Sequence, residues 1–366
     1  MAEETEKRHY CDLPPQPVRV LPPDMAHDRQ RAIIVGSSKW VNRTVLHYYF
    51  FDRPTDGEEV RFSDGTREFV TWVGEEDQKQ AVRDAFAQWK ALPLGLEFEE
   101  VDDRADAEIR IGFMDHDGSW SYVGRQILNQ GVNTRTMNFG WDLTTRHGRD
   151  TALHEIGHTL GMPHEHQNPF AGIVWDEPAV YKHFGGPPNN WNREKTFHNV
   201  LRKLNPTEVT GSAWDPDSVM HYDFEPGLIR EPAKFRDKGI SPPGGLSPAD
   251  REWARKWYPG EAPAEERKLK PFESAAMTLK AGEQADFVIE PPSSRRYQIA
   301  TFGAADTVMV LFEESDGQLR YLRGDDDSGT DRNSRVEQKL LKGRRYVVRL
   351  RMYWAGASGQ TAVMYW

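Results

Sequence analysis

Three residues in the middle of the chain have the types and spacing of a hydrolytic metal site. His154 and His158 are four positions apart, and Glu155 lies between them. If residues 151–162 form a helix, both histidines lie on one face and can bind one ion through ring nitrogens. A zinc ion lowers the pKa of its bound water to about 7, and a neighbouring carboxylate can accept the proton. The pattern predicts metal-assisted hydrolysis with Glu155 as the general base.

A third histidine follows the end of the same predicted helix. A catalytic zinc ion normally has three protein ligands and one open position. Gly161 tolerates the positive φ of a sharp turn, and Pro163 lies just beyond it. The chain can therefore stop its helix and turn back, so that His164 becomes the third ligand.

The elements around this motif predict a mixed domain. Residues 40–51 are rich in β-branched and aromatic residues, which is typical of a strand. Between residues 75 and 92 the apolar residues recur every three or four positions, which predicts an amphipathic helix. Another helix is predicted over residues 247–257, because its first residues include a capping serine and a proline. Further strands are predicted at 96–100, 107–113 and 136–139.

Composition changes divide the chain into four segments. Residues 1–38 are rich in charge and proline, which favours an extended arm or pro-segment. Residues 39–260 contain the metal motif and form the predicted catalytic domain. A charged linker occupies 261–276. From 277 to 366, short alternating segments separated by Gly, Asp and Ser predict an all-β sandwich.

Charge and cysteine content exclude several classes of function. The formal net charge is −10 at neutral pH, whereas nucleic-acid modules normally carry a basic face, so we expect no nucleic-acid partner. The single cysteine excludes an intramolecular disulfide and any site built from paired cysteines. No run of about 18 apolar residues is present, so we expect no membrane span. The N-terminus lacks an apolar run typical of a secretory signal.

Two motifs together resemble those of a known clan. The string from His154 to His164, with its glycine, resembles the zinc signature of the metzincin metallopeptidases. The sequence Ser-Val-Met-His-Tyr at 218–222 resembles the methionine turn of that clan. The resemblance implies that Met220 is a hydrophobic floor beneath the zinc ion rather than a ligand.

Within the clan, Glu165 and Tyr222 resemble the astacin-like family. In that family the matching tyrosine binds zinc in the resting enzyme and moves to hydrogen-bond the oxyanion during catalysis. The alternative for Tyr222 is a partly buried core residue. The resemblance covers about residues 40–260. It implies an α+β fold with a mixed, mostly parallel twisted sheet and long helices, and a zinc endopeptidase acting on proteins or peptides.

The chain also departs from the family in places. Animal astacins carry disulfides and an Arg-rich continuation after the third histidine, whereas residues 166–169 here are His-Gln-Asn-Pro. It therefore stays open whether Glu165 anchors a newly cut N-terminus, as its counterpart does. Residues 185–191 look like a stretch found in bacterial and fungal astacin-like proteins, and their sequence assigns them no role.

The resemblance also suggests where a substrate binds. In this clan the upper edge strand pairs with the peptide as an added antiparallel strand. Met137, Asn138 and Phe139 occupy the matching place. The alternative is an ordinary strand.

Cys11 suggests a latch, because a thiolate binds zinc well and the arm can reach the metal. Matrix metallopeptidases use a cysteine in this way. Astacins use an aspartate instead, for which Asp12 or Asp24 are candidates. The remaining alternative is an idle, exposed thiol.

The last 100 residues resemble the bacterial pre-peptidase C-terminal domain, a small β-sandwich appended to secreted peptidases. Clustered aspartates at residues 325–327 are a candidate Ca²⁺ site, and a solvated acidic turn is the alternative.

A binding or adhesion protein that works through this sandwich is the alternative function. A structural zinc protein is disfavoured, because such sites usually have four protein ligands. We expect a monomer that is secreted, by resemblance, or cytoplasmic, because no secretory signal is recognised.

Overall fold

The structure is a computed structural model. It describes residues 9–15, 39–42, 44–62, 65–115, 117–204, 214–260, 267–315, 318–354 and 357–366. Contacts divide the described residues into two compact units. The first unit contains residues from Met1–Lys39, His47–Leu92 and Glu100–Ala254. The second contains residues from Trp40–Leu46, Pro93–Glu99 and Arg255–Trp366.

A five-stranded sheet lies beside the zinc motif. Its strands are β1 (Thr44–Phe50), β4 (Leu96–Glu100), β5 (Ile109–Gly112), β6 (Trp120–Ser121) and β7 (Met137–Asn138), in the order β4-β1-β5-β7-β6. β1 is parallel to β5 and β5 to β7, whereas β6 is antiparallel to β7. Every residue of β1 is buried, which agrees with its aromatic and β-branched composition. The sheet is mixed, as the family resemblance implies.

Two short antiparallel strand pairs and several helices surround this sheet in the described residues. The strand pairs are β2 (Gly57–Arg61) with β3 (Arg67–Thr71), and β8 (Val174–Trp175) with β9 (Ile229–Glu231). The α-helices are α1 (Glu76–Lys90), α2 (Arg146–Thr159), α3 (Glu177–Phe184), α4 (Arg193–Thr196) and α5 (Pro248–Trp257).

Helix α1 packs against α2, the helix that carries the zinc motif. The buried face of α1 is the predicted one and includes Phe86 and Trp89. The Trp89 indole donates a hydrogen bond of 3.0 Å to the Leu153 carbonyl in α2. Because α2 is buried along most of its length, its side chains are held by packing on both sides. This packing fixes the helix from which the metal ligands project.

The prediction that Met137, Asn138 and Phe139 form the substrate-pairing edge strand is wrong. Strand β7 is bonded on one side to β5 and on the other to β6, and these three residues are at most 1% exposed. The side chain of Asn138 is used internally, donating to the Met114 and Gly118 carbonyls. The edge strand on this side of the sheet is β6. A strand of two residues has too little periodicity to be recognised in sequence.

The second unit contains a β-sandwich, as the alternating segments predict. One sheet has the order β10-β12-β17-β14-β15, and the other has the order β11-β18-β13-β16. The strands are β10 (Arg267–Lys268), β11 (Ala275–Leu279), β12 (Gln284–Ile289), β13 (Arg295–Phe302), β14 (Thr307–Ser315), β15 (Gln318–Asp325), β16 (Arg335–Leu340), β17 (Arg345–Met352) and β18 (Gly359–Tyr365). Apolar side chains such as Phe287, Ile299 and Val348 fill the space between the sheets.

The units are not the continuous segments that composition predicts. Residues 40–46 and 93–99 group with the C-terminal part of the chain. One reason is a buried ion pair: Arg349 contacts both carboxylate oxygens of Asp286 and also donates to the Asn42 carbonyl at 2.8 Å. A buried arginine needs its donors satisfied, which favours this arrangement. None of the described helices has the length and apolarity needed to cross a bilayer.

Candidate metal centre

Helix α2 begins five residues earlier than the sequence predicts. Thr145 is the N-cap residue, and its side chain accepts a hydrogen bond from the Gly148 amide. The helix ends at Thr159, and Gly161 follows with φ of +91°. The amide of Gly161 donates to the His158 carbonyl at 2.8 Å, which closes the turn. The expected left-handed glycine is therefore present, and it directs the chain toward His164.

The three predicted histidine ligands meet at one point. One ligand atom from each of Cys11, His154, His158 and His164 lies within 4.8 Å of the other three. His154 Nδ1 lies 2.7 Å from the Val219 carbonyl, and His158 Nδ1 lies 2.7 Å from the Met162 carbonyl. These contacts orient the two rings so that each Nε2 atom faces the centre.

The buried donor atoms fit a zinc ion. Nε2 of His154 and both ring nitrogens of His164 are buried without a hydrogen-bond partner in the described structure. Burial lowers the pKa of His154 to about 4 and the pKa values of His158 and His164 well below their usual range. The rings are thus neutral, which is the form that binds a metal. Three neutral imidazoles are a common catalytic zinc set.

Glu155 lies inside the same buried site. Its side chain is fully buried, and its Oε1 atom has no hydrogen-bond partner among the described residues. Burial raises the pKa of Glu155 well above its usual range. A carboxylate in this position can accept a proton from a water molecule at the metal.

The thiol of Cys11 occupies this centre, so the alternative of an idle exposed thiol is wrong. Cys11 is 6% exposed, and its Sγ atom lies 3.6 Å from Glu155 Oε2 and 3.6 Å from His158 Nε2. Burial and the Glu155 carboxylate raise the pKa of the thiol. Of the two aspartates considered as alternatives, Asp12 pairs with Lys195 instead, and Asp24 lies outside the described residues.

Tyr222 lies beside the histidines and contacts the N-terminal segment. Its ring centre is 4.5 Å from that of His164, and its hydroxyl donates to the Cys11 carbonyl at 2.5 Å. Tyr222 is 4% exposed. Its hydroxyl therefore reaches a peptide carbonyl held next to the metal site.

Met220 packs beneath the zinc helix. A Cβ atom added to Gly157 would lie only 2.3 Å from Met220 Sδ, so the absence of a side chain at Gly157 permits this contact. Met220 is 2% exposed, so its side chain belongs to the packed core beneath the helix. This is the placement that the methionine-turn resemblance implies.

The methionine turn is held by a carboxylate from α5. Asp250 accepts hydrogen bonds from the Ser218 hydroxyl, the Val219 amide and the Ser247 amide, at 2.6, 2.9 and 2.8 Å. Asp250 is 6% exposed. Because the Val219 carbonyl contacts His154 Nδ1, Asp250 helps to position His154 through the turn.

We expect Asp250→Ala to destabilise the first unit by about 2–4 kcal/mol, because three buried donors lose their acceptor. Chemical denaturation of the full chain measures this change. Asp237→Ala, at an exposed position, is the matched control and should have little effect. Equal stabilities of the two variants would show that Asp250 does not support the turn.

Glu165 has partners within the same region. Its Oε1 atom accepts from the Asp215 amide at 3.0 Å and from the Asn168 side chain at 3.1 Å. Burial raises the pKa of Glu165 to about 7. In this structure Glu165 thus supports the segment before the methionine turn.

A cleft open to solvent extends from the metal centre. Its walls include Trp141, His147, Asp150, Glu155, Tyr222 and Pro242. The sequence did not indicate Trp141, His147 or Asp150, because they lie outside any motif. His9 stacks on Trp141 at this cleft, with ring centres 5.3 Å apart.

Comparisons with known proteins agree with this site. Residues 68–227 match the family model for astacin, a family of peptidases. Bone morphogenetic protein 1 of Xenopus laevis is 31% identical over 157 residues, which cover 38% of this chain and 19% of that protein. Zinc metalloproteinase nas-38 of Caenorhabditis elegans is 31% identical over 144 residues, covering 39% and 17%. The chain spans less than a fifth of the length of these curated relatives.

A solved structure extends the similarity over more of the chain. Myroilysin is 29% identical, with a TM-score of 0.52, and the match covers 63% of this chain and 99% of that chain. A mixed sheet and a helix with two histidines and a glutamate, followed by a third histidine, are features that the metzincin class of metallopeptidases shares with this domain. The family match is more specific: residues 68–227 are similar to the astacin family of peptidases.

Proposed function

We propose that this chain is a zinc-dependent endopeptidase held latent by its own N-terminal segment. The observation that carries the proposal is that three buried histidines, Glu155 and the Cys11 thiol lie close together at one point. The histidines and the glutamate provide the machinery for hydrolysis. The thiol blocks it.

His154, His158 and His164 would hold the zinc ion. When bound, zinc supplies a Lewis acid that activates a water molecule and polarises the scissile carbonyl. Glu155 accepts the proton of the attacking water and passes it to the leaving amine. Tyr222 donates a hydrogen bond to the carbonyl oxygen as negative charge develops on it. Its contact with the Cys11 carbonyl supports this role, because a peptide carbonyl is the group it must recognise.

The substrate pairs with the edge strand β6 rather than with β7. The amide of Asp12 donates to the Ser119 carbonyl at 2.9 Å, next to this strand. A peptide that replaces the N-terminal segment can use the same backbone acceptor. This pairing positions a peptide bond near Glu155 and reduces the entropy cost of reaching the transition state.

Latency follows from the two contacts of the Cys11 thiol. Its sulfur atom takes a position from which a thiolate can bind the metal, and it also contacts Glu155 Oε2. While residue 11 stays in place, a water molecule would therefore have no access to the metal ion or to the Glu155 carboxylate. Activation requires displacement, cleavage or modification of this segment.

Metal analysis and reconstitution test the proposed function. We expect one zinc ion per chain, loss of protein hydrolysis on chelation, and recovery on adding zinc. The substrate should be an unstructured protein, and the Cys11→Ser variant should be used so that latency does not hide activity. A zinc-loaded Cys11→Ser chain that leaves all peptide bonds intact would contradict the proposal.

We expect Tyr222→Phe to lower kcat by about 100- to 1,000-fold with little change in KM, because one donor to the oxyanion is lost. The variant must be made in the Cys11→Ser background, since Tyr222 also contacts the N-terminal segment. Tyr181→Phe, a partly exposed tyrosine on α3, is the control. A normal kcat for Tyr222→Phe would favour the alternative of a core tyrosine.

Other assignments remain part of the proposal. Protein or peptide substrates follow from the peptidase class. A monomer and secretion are expected by family resemblance, with the cytoplasm as the alternative location.

Calcium stays a sequence prediction: in the part of the chain described, Asp325 Oδ2 accepts backbone hydrogen bonds from Ser328 and Arg335. The adhesion alternative has no observation in its favour.

A further inference from the structure

The N-terminal segment 9–15 is held by many contacts besides its thiol. The amide of Tyr10 donates to Asn189 Oδ1 at 3.2 Å, and the amide of Leu13 donates to Asn199 Oδ1 at 3.0 Å. Together with the Asp12 amide and the Cys11 carbonyl, four backbone groups of this segment have partners in the first unit. The backbone is thus bound independently of the sulfur atom.

The side chain of Asp12 is bound by two residues of one neighbouring segment. Its Oδ1 atom accepts from Asn199 Nδ2 at 3.0 Å, and its Oδ2 atom forms an ion pair with Lys195. Asn199 is 1% exposed, and its amide uses both its oxygen and its nitrogen on the N-terminal segment. Asparagine and lysine in this arrangement recognise a carboxylate.

The local structure of residues 192–201 places Lys195 and Asn199 next to Asp12. Asn192 caps α4 by accepting from the Lys195 amide at 2.8 Å. The chain then continues directly into a π-helical turn, Phe197–Leu201, which contains Asn199. Such wide turns often occur at functional positions. Asn189 belongs to the stretch 185–191 whose sequence resembles other astacin-like proteins without revealing a role.

We infer that residues 185–201 form a docking site for the N-terminal segment, with Lys195 and Asn199 recognising the Asp12 carboxylate. The partner of this site is residues 9–15 of the same chain. The docking site keeps the Cys11 thiol at the metal centre, and breaking it releases the segment without changing a zinc ligand or the thiol. The inference rests on the proposed latency, but docking can be measured without zinc and without hydrolysis.

The single cysteine makes this measurement direct. In the full-length chain, the rate at which iodoacetamide alkylates Cys11 reports how often the segment leaves its site. We expect Lys195→Met to raise this rate about tenfold in metal-free protein, and also to raise it in zinc-loaded protein. Loss of a nearby cation alone would disfavour the thiolate and slow the reaction. Faster alkylation therefore reports opening of the segment.

Asp12→Asn should also accelerate alkylation of Cys11. The alkylation rate of the Asp12→Asn/Lys195→Met double variant should be close to that of each single variant, because both substitutions remove the same ion pair. Lys182→Met, an exposed lysine on α3, is the matched control and should behave as wild type. The charge swap Asp12→Lys/Lys195→Asp should slow alkylation again relative to either single charge reversal, because the ion pair returns although the Asn199 Nδ2 donor loses its acceptor, and a folding defect would not be reversed in this way. Equal alkylation rates of metal-free Lys195→Met and Lys182→Met, both folded by circular dichroism, would overturn the docking site. Failure to bind zinc would instead contradict only the proposed peptidase.

Discussion

Replacement of Glu155 by alanine is expected to lower kcat/KM for an unstructured protein substrate by roughly 100- to 10,000-fold, the usual contribution of a general base. Glu155 is the carboxylate buried among the zinc ligands, and its Oε1 atom has no partner in the described structure. Its Oε2 atom lies 3.6 Å from the Cys11 sulfur, which is one of the four grouped ligand atoms. Its loss therefore leaves the attacking water without a proton acceptor.

The zinc content must be measured together with the rate. Glu155 is not one of the three histidine ligands, so the variant should still bind one zinc ion per chain. Both proteins should carry Cys11→Ser, and Glu252→Ala, an exposed glutamate on α5, serves as control. Hydrolysis that persists in zinc-loaded Glu155→Ala would contradict the proposed role of Glu155 as the general base. Loss of zinc from the variant would assign Glu155 a role in holding the site.

Cys11→Ser is expected to raise the basal hydrolysis rate by about 100-fold or more. In the wild type the N-terminal segment occupies the site nearly all the time, so only a small fraction of the molecules is active. A serine hydroxyl is a much weaker zinc ligand than a thiolate. The docking contacts of residues 10, 12 and 13 remain, but without a sulfur–metal bond they hold the segment less tightly, so it leaves the site more often. Continuous hydrolysis of a quenched peptide measures the change.

Chemical modification supplies a matched comparison for this prediction. The chain contains one cysteine, so a thiol reagent has one target. Alkylation should activate the wild-type protein and leave Cys11→Ser unaffected. If the wild type and Cys11→Ser hydrolyse the peptide equally fast and respond equally to the reagent, the thiol is not the latch.

The sequence alone predicts the zinc ligands, because their spacing is local. His154 and His158 lie one helical turn apart, and a glycine with positive φ directs His164 back to them. The same reasoning predicts helix α1 and the sandwich, whose periodic apolar positions coincide with the buried ones. Periodicity identifies a buried face reliably when an element is long enough to repeat.

Contacts between distant parts of the chain needed the tertiary structure. The edge strand is β6, a two-residue strand with no periodic pattern, whereas the family resemblance points to the equally short β7. The partners Cys11 and His158 are 147 positions apart, and Asp12 and Asn199 are 187 apart. No spacing rule links residues at such distances.

What the sequence by itself determined is the chemistry of the centre: three histidines and a glutamate in a helix-and-turn motif whose geometry is set by local backbone rules. What only the tertiary structure decided is the state of that centre. The fold places the Cys11 thiol against Glu155 and His158, and it binds the carboxylate of Asp12 with Lys195 and Asn199. Long-range packing brings these groups together, and the free energy of that packing depends on the whole unit rather than on a local pattern.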